Sequence, residues 1–471
     1  MDDNNKAALD KEREELASLQ TKRVFSRLKW YFAKSGPGWM QGAMTLGGGS
    51  AMAALFSGAF LKYKLLWVQP VAMIMGIIML SALSYQTLTR GEKPFVAMKK
   101  YVSPAVAWMW VIFTLLTTII WHFPQYALAS GLSLDLLQAF FSFELKPSSA
   151  QQTLVLLVIA LLIFSLAATI VWNYGKGSKG VKLFENIVKG LVWFIVFSFA
   201  FVVIARSFTN DGISWDEVFS GFLPFSFENG FHFNIPSDPT GISIFIASLS
   251  AAVGLNMTFL FGYSFLKKGW TREYVGLANF DLITGLLIPY TIATSLMIIA
   301  AGSTLHTPEF VSSNNTNISP IAAASMLEAA GIPTIVSRLI FSLGIIGMAL
   351  NAIILHMIVS GFAACEIFNI EPTGWKYRLA TLVPAPGILG AVLWSSLGTW
   401  VAIPASAIAL IMLPIAYIGF FLLNNSQKYL QEDMPHGKKR FVWNLAMILT
   451  ITITLVCVVF YIIKVLPSYF N

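Results

Sequence analysis

The 471-residue chain is 56% hydrophobic and only 11% charged, with a net charge of +8 at pH 7. That balance excludes an ordinary soluble domain and points to a polytopic membrane protein. The two cysteines, Cys365 and Cys457, fall in different apolar segments, so a secreted-type disulfide framework is not indicated.

Residues 1–35 are highly charged and lack the apolar core of a cleavable signal. Their later half, "TKRVFSRLKWYFAK", interleaves basic and aromatic residues, as expected of a helix lying on anionic lipid headgroups. Segments of roughly 20 apolar residues then recur, each long enough to cross the hydrocarbon layer as a helix. About eleven are expected, near 36–61, 65–88, 104–138, 151–172, 183–206, 241–266, 276–303, 334–366, 378–397, 400–424 and 441–465. They lack the alternation of barrel strands, so the predicted fold is an all-α polytopic bundle.

Most of the 31 Lys and Arg fall in the alternate segments 1–35, 89–103, 173–182, 267–275, 367–378 and 425–440. Basic residues collect in cytoplasmic loops. The N-terminus is therefore expected inside and the C-terminus outside, in a plasma or inner membrane. The charge sits beside spans, where it sets topology; no nucleic-acid partner is expected, and the lipid bilayer is. Residues 207–240 and the stretch "TPEFVSSNNTNISP" read as solvated outer loops.

Inside the first expected span, Gly47, Gly48, Gly49 and Ser50 lie about twelve residues from its start, close to half of a bilayer crossing. Each glycine costs about 1 kcal/mol relative to alanine in a helix, so a central break is predicted, with close helix packing as the alternative. The sixth span carries a second polar and small cluster near its middle, Ser248, Ser250, Gly254, Asn256 and Thr258. Two weakened spans five apart are what two five-helix repeats of inverted topology give, each opening on a discontinuous helix. The repeats are placed at 36–206 and 241–424. Residues 1–35 precede them, 207–240 link them outside the membrane, and 425–471 supply a loop and an eleventh helix.

Other polar positions lie within spans. "WHFPQY" sets His122 and Gln125 on one face of the third span, with Pro124 between them and Tyr126 following. His122 reads either as lining a pathway or as an interhelical hydrogen bonder. In the eighth span Asn351 and His356 point about 140° apart, so they do not form a clamp.

The string "SGPGWMQGAMTLGGGSAMAALFSGAFLKYKLLW" resembles the first two spans of the Nramp divalent-metal transporters of the amino acid–polyamine–organocation superfamily. Weaker likeness continues in "NYGKGSKGVKLFE", in "LNMTF" and in the long eighth span ending at Glu366. The resemblance implies metal-ion transport by a secondary transporter, with substrate held between spans one, six and eight.

Against that family's pattern this chain departs at the site. The family's Asp-Pro-Gly-Asn falls on Gly47-Gly48-Gly49-Ser50, and its Met-Pro-His-Asn on Val253-Gly254-Leu255-Asn256. A second family histidine falls on Leu260. The acidic pair of the third span falls on Phe123 and Tyr126, and a family Gln on Asn351. The substrate-binding expectation is Gly47, Gly48, Gly49, Ser50, Ser250, Val253, Gly254, Asn256, Thr258 and Asn351, with His122, Gln125 and Tyr126 along a pathway. No metal ligands can be assigned, and weak binding of Mn²⁺ or Fe²⁺ is expected. The alternatives are a carrier of a monovalent ion or small organic solute, or a sensor or scaffold without transport. No catalytic constellation and no cofactor site is visible, so an enzyme is not expected.

Overall fold

The computed structural model describes residues 3–19, 23–146, 148–174, 178–208, 212–227, 230–308, 311, 334–397 and 402–469. Two short helices, α1 (Asp3–Leu19) and α2 (Val24–Lys34), precede the bundle. They fold against each other: Trp30 Nε1 donates to Glu15 at 3.0 Å, and Lys34 pairs with Glu12 at 2.8 Å. Val24 and Phe25 stay exposed on α2, and Phe32 meets Phe280 edge to face.

The first expected span is two helices, α3 (Pro37–Thr45) and α4 (Gly48–Leu61), bent by 51°. After α5 (Val68–Arg90), left-handed Gly91 stops the helix, and Pro94 opens the short α6 (Pro94–Tyr101). The long α7 (Pro104–Phe141) carries Pro124 internally. It is followed by α8 (Ala150–Tyr174), α9 (Ser178–Ser207) and α10 (Trp215–Gly221). The 207–240 linker is thus partly structured: α10 is followed by a small hairpin pairing Phe225–Ser226 with His232–Phe233. Lys62, at the end of α4, pairs with Glu217 of α10, and this contact holds the Glu217 carboxyl below the usual range.

The sixth span is again two helices, α11 (Pro239–Ala252) and α12 (Leu255–Lys268). The seventh runs through α13 (Val275–Leu282), a π-helical turn at 283–287 and α14 (Ile288–Thr304). Next come α15 (Thr334–Phe368) and α16 (Gly374–Ala380), then α17 (Gly390–Leu397), α18 (Ala402–Asn424), α19 (Gln427–Leu430) and α20 (Gly437–Lys464).

Among the described residues nine helical stretches are long and apolar enough to cross a membrane, and the bent α3–α4 pair makes a tenth. The segment expected to span at 378–397 is instead in pieces, because Pro384 and Pro386 interrupt it and a 3₁₀ turn occupies Ala385–Leu389. The Asn/Ser-rich stretch falls mostly outside the described residues.

Burial separates centre from periphery. The α11–α12 stretch is 89% buried over its most apolar window, whereas α8 is 28% buried. A helix apolar all round that leaves most of itself uncovered is built to face lipid. At the centre, α3 is held by close backbone approach. A Cβ on Gly42 would collide with the carbonyl of Gly285 in the π turn, and one on Gly38 with the backbone of Asp281. Asp281 Oδ2 accepts from Gly36 N at 3.0 Å and Gly38 N at 2.7 Å, satisfying donors at the start of α3 that no helical carbonyl can reach.

Candidate functional site

Both central helices break over two non-helical residues. At the first break Leu46 has φ −77°, ψ 66° and Gly47 has φ −118°, ψ −173°. At the second, Val253 has φ −139°, ψ 110° and Gly254 has φ −85°, ψ 161°. Only Gly47 of the glycine run is outside a helix. Gly48 and Gly49 are the first turn of α4, and their role is space: a Cβ on Gly49 would enter the Trp121 ring, and one on Gly48 would press on Leu128. Close packing, rather than unwinding, accounts for two of the three.

The breaks are tied to each other and to the rest of the bundle. The Thr45 hydroxyl lies 2.7 Å from the carbonyls of both Ala251 and Ala252, joining the end of α3 to the end of α11. Ser50 Oγ accepts from Gly47 N and donates to carbonyls at Thr45 and Gly47. Gln125 Oε1 accepts from Gly48 N at 2.7 Å. Ser250 donates to the Ser406 carbonyl of α18 at 2.6 Å, and Asn256 Oδ1 accepts from Met257 N at 2.9 Å. Most of the backbone opened by the breaks is thereby satisfied by side chains, as buried polar groups require.

Between the breaks lies a cavity of about 20 Å³, space for about one water molecule or bare ion. Of the expected site residues it brings together Gly47, Gly49, Ser50, Gln125, Ser250, Gly254 and Asn256. Gly48 sits beside it on Gln125. The remaining ones lie elsewhere. Val253 packs on Gly76 of α5 and lines a separate apolar cavity with Leu410 and Cys457. Thr258 accepts from Trp110 Nε1 at 3.1 Å and donates to the Leu255 carbonyl. Asn351 is buried, its Nδ2 without a partner among the described residues, and Tyr126 is buried with its hydroxyl likewise unpartnered.

His122 does not line the cavity, but its partner does. His122 Nδ1 lies 3.2 Å from Nδ1 of His356, and His356 reaches the cavity. The lining also includes Met44, Thr45, Trp121 and Met257, which the sequence did not single out. The signal that was available is spacing: Met44 stands three residues before Gly47, and Met257 three after Gly254. Met257 Sδ lies 3.3 Å from Gly254 N, accepting its N–H at the rim of the break. Among the described residues no group of three or more His, Cys, Asp or Glu is placed to hold a metal.

Residues 38–463 match the family described as natural resistance-associated macrophage protein-like, Nramp. The chain belongs to the Nramp family. No curated protein matches in the sequence comparison. Among solved structures, a manganese transporter of Eremococcus coleocola in complex with an aromatic bis-isothiourea compound is similar, with 16% identity and a TM-score of 0.70, over 93% of this chain and 88% of that one. MhsT in complex with L-phenylalanine is similar at 15% identity and a TM-score of 0.59, over 89% and 98%. Mhp1, a nucleobase-cation-symport-1 transporter with bound bromovinylhydantoin, follows at 11% and 0.56, over 89% and 91%. At these identities the structures show the fold: the inverted-repeat transporter bundle, with its first and sixth helices broken. This Nramp-family chain is an integral membrane protein, and the activity of its family is metal-ion transport.

Proposed function

We propose that this Nramp-family chain moves a metal ion across the membrane by alternating access, with the ion held between the two breaks. The observation that carries this reading is the cavity itself. It sits where α3 and α4, α11 and α12 meet, and its volume of about 20 Å³ suits one ion or water. The Nramp-type manganese transporter shares the fold more closely than the amino-acid and hydantoin carriers do, by TM-score. Rocking of one helix group against the other around the fixed site would expose the ion to each side in turn. Gly47, Gly48, Gly49 and Ser50 shape the first break, Gly254 and Asn256 the second, and Ser250 anchors α11 to α18. Val253, Thr258 and Asn351 support the surrounding packing; on α7 Gln125 lines the cavity, with His122 and Tyr126 behind it.

The two repeats are assigned to 36–206 and 241–424. The excess of Lys and Arg on alternate loops supports a cytoplasmic N-terminus in a plasma or inner membrane, with the C-terminus outside. The test is uptake into proteoliposomes holding the purified full chain, across divalent metals, monovalent ions and small organic solutes. Saturable uptake of a metal ion is expected; uptake restricted to an organic solute would overturn the proposal.

A further inference from the structure

We propose that the ion held between the breaks is a soft, singly charged metal ion, ligated by the thioethers of Met44 and Met257 and by Nε2 of His356. This rests on the reading that the cavity carries a metal ion, and names which class.

The oxygens of the lining side chains are neutral, and each already takes part in a hydrogen bond. The hydroxyls of Ser50 and Ser250 donate their hydrogens to backbone carbonyls. The amide oxygens of Gln125 and Asn256 accept backbone N–H groups. Thr45 is drawn to the end of α11. Beside these neutral oxygens, the cavity wall carries two methionines and an imidazole. Met44 and Met257 line it from either side of the paired breaks, and the Gly254 N–H fixes Met257 Sδ at the rim while leaving a sulfur lone pair. His356 lines it with one ring nitrogen taken: Nδ1 is held by His122, so Nε2 is the atom left for a ligand. A ligating imidazole held through its other nitrogen by a neighbouring group is the usual arrangement at metal sites, and here a second histidine takes that place.

Thioether and imidazole prefer soft or borderline ions, copper(I) foremost; hard oxygen-seeking ions need carboxylates and carbonyls. No carboxylate lines the cavity. The N-termini of α4 and α12 meet there with the C-termini of α3 and α11, so helix ends offset one another and add little net negative field. A doubly charged ion in this neutral wall would lose its hydration without a compensating charge, whereas a single charge loses far less.

The experiment uses the purified full chain carrying Cys365→Ala and Cys457→Ala, which removes both thiols, with Ag⁺ as a redox-inert probe and Mn²⁺ as the competitor. The expected result is one Ag⁺ per chain, with an X-ray absorption spectrum showing a sulfur and nitrogen shell. Mn²⁺ should fail to displace it. Met44→Leu, Met257→Leu and His356→Gln should each weaken binding by about tenfold or more. The absorption spectrum needs no variant at these positions, so the ligand set stays testable if one of them misfolds. An oxygen-only shell, or Ag⁺ affinity unchanged in all three variants, would overturn the proposal. Mn²⁺ bound more tightly than Ag⁺ would also overturn it while leaving metal transport standing. No bound metal, together with uptake of an organic solute, would overturn both.

Discussion

His122 on α7 and His356 on α15 face each other with their Nδ1 atoms 3.2 Å apart and both rings buried. A hydrogen bond between two ring nitrogens needs one donor and one acceptor, so only one of the two Nδ1 atoms carries a hydrogen. The contact fixes the His356 ring while that residue lines the cavity. It joins two helices 234 positions apart in sequence.

Removing one partner should therefore cost stability. His122→Phe leaves His356 Nδ1 buried without a partner, a loss of about 1–3 kcal/mol. The thermal midpoint of the purified protein should fall, and His122→Gln, which keeps a polar partner, should lower it less. Equal midpoints for wild type and His122→Phe would remove the structural role of this pair.

Gln125 can be turned into a charge test. Its Oε1 accepts from Gly48 N at the start of α4 and its side chain lines the cavity. Gln125→Glu keeps an acceptor, places a carboxylate at a helix N-terminus where it is favoured, and gives the wall one negative charge. Mn²⁺ affinity, measured by calorimetry on the purified chain, should rise by at least about tenfold, and Gln125→Leu should not raise it. No gain in Gln125→Glu would show that charge is not what keeps divalent ions out.

Gly49→Ala tests the close approach of α4 and α7, because the added methyl falls within the Trp121 ring. Overpacking of this kind costs about 1–3 kcal/mol. Folded yield and thermal midpoint should both drop, and Trp121→Leu in the same chain should restore part of the loss. Full wild-type stability in the single variant would mean that the two helices are not in contact there.

At the other end of α3, Asp281→Ala leaves the amides of Gly36 and Gly38 without their shared acceptor. Loss of such a cap costs about 1–2 kcal/mol. Asp281→Asn retains one oxygen and should lie between. Hydrogen exchange at residues 36–40 should quicken in Asp281→Ala, and unchanged protection would contradict the cap.

The two breaks were legible because glycine and small polar residues at mid-span conflict with everything else a membrane helix needs. The reason for Gly48 and Gly49 was not, since Trp121 and Leu128 approach them from a helix more than seventy positions away. Met44 and Met257 passed as ordinary apolar residues, because sequence gives no direction for a side chain beside a break. His356 points away from Asn351 on its own helix, and its partner stands on α7, far away in sequence. Val253 turned out to face Gly76 because the extended backbone at the break redirects its side chain, which alignment by position cannot show. The ninth apolar segment was expected to cross as one helix on hydropathy, and Pro384 and Pro386 divide it.

The central claim is that a metal ion crosses through the cavity between the breaks. Its most direct measurement is uptake of metal ions into proteoliposomes by wild type and by Gly254→Trp, whose side chain would press on Asn256 at the cavity wall and crowd the second break. Uptake is normalised to folded, inserted protein. The expected result is saturable metal uptake by wild type, lost in Gly254→Trp while the variant remains folded. Metal uptake that persists in a folded Gly254→Trp protein, or wild-type vesicles that move an organic solute and no metal, would contradict the account.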